Sequence, residues 1–469
     1  MIHKLQVRSF IALIILLVCS ASASADKKIF LLADIHVMSP QLLDNPENEA
    51  WQAYLSESRK MVDYSVPVFD KLCKQIIAEK PDLLLIAGDM TKDGEFESHD
   101  YVTNKLTEIE KSGIPVFVIP GNHDRGWQPD AKVYQNNTAK NTKFISKEQF
   151  LDYYKEFGYG NDSEIHSKTL TYAKEILPGL TLIGIDSDQT AKVDADAAKW
   201  AGQKAKEAKN KGQQVIAMMH HALLPHIYNQ EALHINSVIK NYKNFRDQLM
   251  EAGVKVIFTG HYHISDITRY TSPQGQDIYD VCTGSPISYP CDYRILTFDN
   301  NFRKLKITTS SVKNIDIFPY FQDYARERLH NAVYAWAVKR VDLTDSSFMS
   351  QIVADIIADI FITHAEGNEH LSENAALASQ IASFAPEETS KTIQSILGDY
   401  PSPEEKDNVV DDRELTITMP ALPTAIRQLP TTPVADQPVW YTLQGVRLNS
   451  APTLPGIYLK NGQKVIVSH

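Results

Sequence analysis

Residues 121–124, Gly-Asn-His-Asp, close the apolar run 114–120 and set an amide, an imidazole and a carboxylate directly after a tight turn. A short β-branched run ending in Pro-Gly reads as a buried strand entering that turn. Asn122 offers an oxygen ligand, His123 a proton donor, and Asp124 a carboxylate able to orient that histidine. Taken alone, the four residues fit an Asx turn with a capping Asp equally well. Four further strand ends change the balance. Asp34 and His36 follow the run 28–32, Asp89 follows 82–87, His220 and His221 follow 215–219, and His261 and His263 follow 254–259. Each apolar strand delivers hard oxygen or nitrogen donors at its carboxyl end, the edge at which open α/β sheets build sites.

Carboxylates, imidazoles and an amide oxygen suit borderline or hard divalent ions rather than soft ones. No CxxC offers a thiolate zinc site. The expected cofactors are two divalent ions, from among Mn, Fe, Zn, Mg and Co, with Asp89 between the two donor sets as the natural bridge. Two such ions about 3.5–4 Å apart sharpen a bridging water into a hydroxide and clamp a phosphoryl group for in-line attack. His123, held by Asp124, is the candidate general acid for the leaving alkoxide. His221 and His226 are candidates for substrate contact. The remaining histidines, His99, His166, His234, His330, His364, His370 and His469 among them, lack a strand-end context and read as core or surface residues.

The elements that must position these groups alternate. Strands are expected at 28–34, 114–119, 214–219 and 254–259, with helices at 61–78, 98–111, 146–157, 191–210 and 235–252. A hairpin is expected at 169–186 around Pro178-Gly179, a polar loop at 125–145, and a run of antiparallel strands from 265 to 310. Strands alternating with helices and then a run of strands imply a mixed sheet or a sheet sandwich covered by helices. The pattern turns helical at 318–397, Pro- and acid-rich at 400–436, and β-like again from 439 to 467. The expected organisation is a signal peptide at 1–25, a catalytic domain at 26–312, a helical appendage at 313–399, a linker at 400–436 and a β module at 437–469.

At 469 residues the chain can bury a substantial core, and its 43% hydrophobic and 22% charged content is ordinary for a globular protein. A formal charge of −11 argues against general nucleic-acid binding, which needs a basic surface. Lys4 and Arg8, the apolar stretch 10–18 and small residues at 21–25 form a signal-peptide pattern too short to span a bilayer. Cys19 invites a lipoprotein reading, but Val18 is bulky where a lipobox has a small residue. No transmembrane anchor is expected after signal removal, and Cys282 and Cys291 flank a Pro-rich loop where they could pair in an oxidising compartment.

These blocks resemble the calcineurin-like metallophosphoesterase superfamily, with its D-x-H, G-D, G-N-H-[DE], H and G-H-x-H pattern in order. The resemblance implies a four-layer α-β-β-α sandwich with two metals at one edge. Asp34, His36, Asp89 and His263 would hold one ion, and Asp89, Asn122, His220 and His261 the other. His123 would be the catalytic histidine. Within the superfamily, residues 88–94, 219–221 and 260–263 are similar to the bacterial class III cyclic-nucleotide phosphodiesterases. Purple acid phosphatases carry a ligand Tyr where this chain has Lys92, which disfavours an iron–tyrosinate centre. The last thirty or so residues resemble terminal modules of secreted Bacteroidetes proteins, some of which are type IX sorting signals; this implies an export machine as a candidate partner, with a passive spacer and cap as the alternative. The implied protein is a secreted, periplasmic or cell-surface phosphodiesterase taking a small phosphate ester. A phosphate-scavenging monoesterase or nucleotidase, and a surface binding protein, stand as alternatives.

Overall fold

The computed structural model describes residues 26–125, 130–233, 236–340, 348–367 and 411–422. It also describes 439–467 apart from 444, 449 and 462, and isolated positions between 376 and 394. The expected signal peptide, most of the helical pattern expected beyond 367, and most of the expected linker lie outside the described residues.

Two sheets form the centre. Strands β1 (Lys27–Leu32), β2 (Leu83–Ile86) and β3 (Val116–Val118) run parallel and side by side. β7 (Tyr172–Leu177) and β8 (Leu180–Ile185) form the expected hairpin, turning at Gly179 with φ 91°, and the short β6 (Glu164–Ile165) pairs antiparallel with β7. β8, β9 (Gln214–Met219) and β10 (Val256–Thr259) are parallel neighbours in the second sheet. β11 (Asp266–Thr271) and β12 (Asp277–Cys282) extend that sheet, β12 running parallel to β10. β13 (Asp292–Phe298) and β14 (Lys304–Ser311) return to the first sheet, β13 antiparallel to β1 and β14 antiparallel to β13.

The apolar runs are continuous because both faces of these strands are buried. Along β9, Ile216 and Met218 enter a cluster with Phe30 and Leu85 of the first sheet, while Val215, Ala217 and Met219 enter another. Helices α1 (Glu49–Glu57), α2 (Ser65–Glu79), α3 (Phe96–Lys111) and α4 (Lys147–Tyr153) accompany the first sheet in sequence. α5 (Ala195–Asn210), α6 (Gln230–Leu233) and α7 (Tyr242–Glu251) follow, and Ala201 and Ala205 of α5 and Leu249 of α7 join the second cluster. Helix, sheet, sheet and helix therefore stack as four layers, the mixed α/β sandwich expected. α8 (Phe321–Arg340) and α9 (Phe348–Ala365) pack on one another through Val333, Ala337, Ile357 and Ile360.

Four local readings differ. The expected loop at 125–145 contains a hairpin, β4 (Lys132–Gln135) with β5 (Thr138–Asn141), turned by Asn136 and Asn137 in left-handed conformation. The helix expected from 235 begins only at Tyr242, because Asn241 is itself left-handed at φ 61°. The stretch read as a linker contains β15 (Glu414–Thr418), which pairs with β14 and buries Ile417. Cys73, Cys282 and Cys291 are separate buried thiols, so the pair considered for the 282–291 loop does not form.

The chain divides into two compact units, 1–423 and 424–469. In the second, β16 (Trp440–Thr442), β17 (Arg447–Leu448), β18 (Gly456–Lys460) and β19 (Gln463–Val467) make an antiparallel sheet in the order β17-β16-β18-β19.

Candidate metal centre

The donor blocks follow the carboxyl ends of β1, β2, β3, β9 and β10, where the two sheets meet at one edge. Their loops keep pairing past the strands: Asp34 N donates to Gly88 O at 3.0 Å, His36 N to Asp89 O at 2.9 Å, and Gly260 N to His220 O at 2.9 Å. Asp34, His36, Asp89, His261 and His263 all take left-handed backbone, with φ from 46° to 66°. That conformation costs an L-residue roughly 1–2 kcal/mol, so five at one edge mark a site the fold holds against strain. Close approach adds a further demand. A Cβ on Gly121 would lie 2.1 Å from Asp89 Oδ1, so only glycine lets that turn pass the carboxylate.

The side chains converge as three overlapping groups. Asp34, His36 and His263 form one, His36, Asp89 and His123 a second, and Asp89, His220 and His261 a third, with ligand atoms inside each group within 4.8 Å of one another. Asp89 joins the sets: its Oδ2 is 3.2 Å from His220 Nε2 and 3.6 Å from His36 Nε2. Asn122 Oδ1 is 3.1 Å from His220 Nε2. His220 Nδ1 donates to Ala87 O at 2.8 Å, which turns Nε2 toward the centre.

The donors fit divalent ions. Asp34 Oδ1 is buried without a hydrogen-bond partner, although His263 Nε2 lies 3.2 Å away. The Nε2 atoms of His36 and His263 face each other at 3.1 Å. An orphaned buried oxygen amid converging imidazole nitrogens is the environment a cation satisfies. Burial opposes charge on His220, yet Asp89 and Asp34 outweigh it and lift the ring to about 9, so the centre draws positive charge.

His123 sits at the rim, its side chain 30% exposed. Its Nδ1 is 2.8 Å from Asp93 Oδ1, not from Asp124. Asp124 is fully buried and accepts instead from Thr91 N at 2.9 Å, Thr91 Oγ1 at 3.0 Å and Gly121 N at 2.9 Å. Its carboxylate knots the β2 and β3 turns together; Asp93 takes over the orienting role expected of it. Burial works against the charge on Asp93, but His123 and the buried Lys92 ammonium beside it hold its carboxyl pKa below the ordinary range. Asp93 lies four residues after Asp89 within the same Gly-to-Gly segment, and that proximity was the available signal.

The two candidate substrate histidines are placed otherwise. His221 is fully buried behind the ligands, its Nδ1 2.8 Å from Ser187 Oγ and its ring centroid 4.4 Å from that of His261. His226 is clasped between carboxylates, Nδ1 2.6 Å from Asp266 Oδ1 and Nε2 3.6 Å from Asp280 Oδ2. Asp280 also accepts from Leu223 N and Leu224 N at 2.6 and 2.8 Å. These contacts make His226 a brace for the loop after β9 rather than a substrate contact. What does face the centre is Lys60, whose Nζ is 3.4 Å from His36 Nδ1. A cleft of about 810 Å³ opens over Asp89, His123, His261 and His263 and is also lined by Arg59, Lys60 and Tyr54.

The sequence model of the calcineurin-like phosphoesterases matches residues 27–265. A probable cyclic nucleotide phosphodiesterase of Fibrobacter succinogenes is 24% identical over 242 residues, 49% of this chain and 79% of that protein. Among solved structures, a dimetal phosphatase from Danio rerio aligns at 13% identity and TM-score 0.45, covering 61% of this chain and 96% of the other. A purple acid phosphatase from yellow lupin (Lupinus luteus) seeds aligns at 13% identity and TM-score 0.42, covering 61% and 52%.

Three outcomes follow from the corrected contacts. Asp93→Asn is expected to lower turnover by up to roughly 10²-fold, the lower part of the general acid–base range, with metal content unchanged by elemental analysis. Asp124→Ala is expected to lower unfolding free energy by about 1–3 kcal/mol for each orphaned donor. The reverse pattern would return the orienting role to Asp124. For His226, burial disfavours the charge but Asp266 overrides it and raises the ring to about 10. Unfolded histidine titrates near roughly 6.5, so the pair's stabilisation is complete below that pH and is lost as pH rises through about 10. His226→Gln should therefore cost about 3 kcal/mol at pH 6 and progressively less toward pH 10 in denaturant titrations. A gap that widens with pH would overturn the ion-pair assignment.

Proposed function

The chain belongs to the calcineurin-like phosphoesterase family and is a metal-dependent phosphoester hydrolase; on that premise we propose that it is an exported phosphodiesterase with a dinuclear centre. The observation that carries the chemistry is the shared placement of Asp89 between two donor groups, with the partly exposed His123 at the cleft side. We assign Asp34, His36, Asp89 and His263 to one ion, and Asp89, Asn122, His220 and His261 to the other. When bound, the two ions supply Lewis acidity and an activated water for attack at phosphorus.

The chain's own residues do the rest. Lys60 supplies a positive charge at the centre for the non-bridging oxygens of the ester. His123 donates a proton to the leaving alkoxide, and Asp93 holds the ring in the tautomer and orientation that allow it. The ligand imidazoles are fixed by outward partners, His220 by Ala87 O and His263 by Ser288 Oγ at 3.2 Å. A preference for diesters is supported by the Fibrobacter relative, whose name is that of a probable cyclic nucleotide phosphodiesterase.

The export reading rests on the Lys4–Arg8, apolar and small-residue pattern at the N-terminus. Among the described residues no helix is long and apolar enough to cross a membrane.

The substrate reading is checked with metal-stripped protein reloaded with Mn and offered bis-p-nitrophenyl phosphate beside p-nitrophenyl phosphate. The diester is expected to win, with hydrolysis of 3′,5′-cyclic nucleotides measured next; monoester preference would make the enzyme a phosphatase. His123→Ala should lose roughly 10²–10⁴-fold on alkyl leaving groups and far less on p-nitrophenolate, which needs no proton. Equal losses on both would count against the acid role. Export is tested by fusing residues 1–25 to a β-lactamase lacking its own leader. Ampicillin resistance in a bacterial host is the expected result, and sensitivity would remove the export reading.

A further inference from the structure

Helices α8 and α9 fall outside the residues matched by the family, 27–265, yet they wall the catalytic cleft. Leu329, Val333 and Trp336 from α8 and Phe361 from α9 line the same cavity as Asp89 and His123. The rings of Trp336 and Phe361 meet edge to face, with centroids 5.9 Å apart at 66°. Tyr262, between the donors His261 and His263, packs against this helix pair together with Ile227. The cleft lining is therefore of two kinds. One is the donor centre with Lys60, and the other is an aromatic and aliphatic wall supplied largely by the two helices.

The helices are also fastened where it matters. Arg328 of α8 donates to the carbonyls of Leu55, Ser58 and Lys60 at 2.7, 3.2 and 3.4 Å, gripping the turn that presents Lys60. Gln322 Nε2 donates to Pro290 O at 2.9 Å, and the Tyr289 hydroxyl bonds Glu366 just beyond α9. A wall held at three points is pre-formed, and a pre-formed apolar wall beside a few polar groups is how a pocket selects among ligands.

We propose that α8 and α9 form a leaving- or retained-group compartment that selects phosphate esters carrying a planar ring, with Trp336 and Phe361 as its specificity-determining residues. This rests on the phosphoester reading above and names the substrate class of that site. Aromatic side chains reward a flat partner through offset or edge contacts beyond simple area burial, whereas a methyl ester leaves the wall wet. A nucleobase and a simple aryl ring share this chemistry.

The test is competitive inhibition of p-nitrophenyl ester hydrolysis by methylphosphonate, octylphosphonate, phenylphosphonate and thymidine 5′-monophosphate, none of which releases nitrophenol. Phenylphosphonate should bind at least ~10-fold tighter than methylphosphonate, and thymidine 5′-monophosphate tighter than phenylphosphonate if the ring is a base. The Trp336→Ala Phe361→Ala double variant should lose the ring preference while its methylphosphonate inhibition constant stays within about threefold of wild type. Equal constants for methyl- and phenylphosphonate in the wild-type protein would overturn the proposal without needing any variant. So would octylphosphonate binding best, which would identify an alkyl chain as the occupant. If the protein hydrolyses nothing, the activity reading fails separately, and calorimetry of the same four ligands with metal-loaded protein still decides the compartment.

Discussion

Two carboxylates, Asp34 and Asp89, are buried to 0% and 1% exposure at the meeting edge of two sheets, and burying such charges without compensation costs several kcal/mol each. Much around them reads as compensation. Asp34 Oδ2 accepts from His261 N and Asp89 Oδ1 from His123 N, both at 2.8 Å. Their other oxygens face imidazoles. To present those oxygens and rings at one point, five residues adopt left-handed backbone, and the loops that carry them stay paired to one another. The strain, the close glycine turns and the buried charge are parts of one requirement, that hard donors converge where water is scarce.

That requirement explains which parts of the site could be read from the chain. A donor directly after an apolar strand is visible because strand and donor are adjacent in sequence. All seven proposed ligands belong to this class, and so does His123. Asp124 misled for the same reason. It is next to His123 in sequence, but the turn aims its carboxylate back at Thr91 and Gly121, while Asp93 reaches the histidine from another loop. His226 misled differently, since its carboxylate partners come from β11 and β12 and no local pattern links them.

At the level of the fold, the sandwich was legible because strands buried on both faces are long apolar runs and strands alternate with helices. Along β9 residues 215–219 alternate between two clusters, yet all five are apolar, so period alone could not tell strand from buried helix; length and β-branching did. β15 was not legible. Glu414–Thr418 is short, mostly exposed and set in Pro- and acid-rich surroundings, and only its pairing with β14 gives it a place. The β4–β5 hairpin hid for a similar reason, since its two Asn residues at the turn look like loop chemistry until their left-handed backbone is seen.

The net charge raises a last physical question, how a chain of formal charge −11 receives an anionic ester. Charges beyond about 8 Å are largely screened at physiological salt, so the whole-molecule value matters less than the cleft wall. There Arg59 and Lys60 share the lining with Asp89 and Asp93. Asp93 is already committed to His123 and Lys92, which leaves Asp89 and the buried Asp34 as the negative charge at the centre. Two divalent ions would more than cancel both and turn the centre positive. On this account affinity for metal and affinity for phosphate are one electrostatic property, and the acidic remainder of the surface does not oppose it.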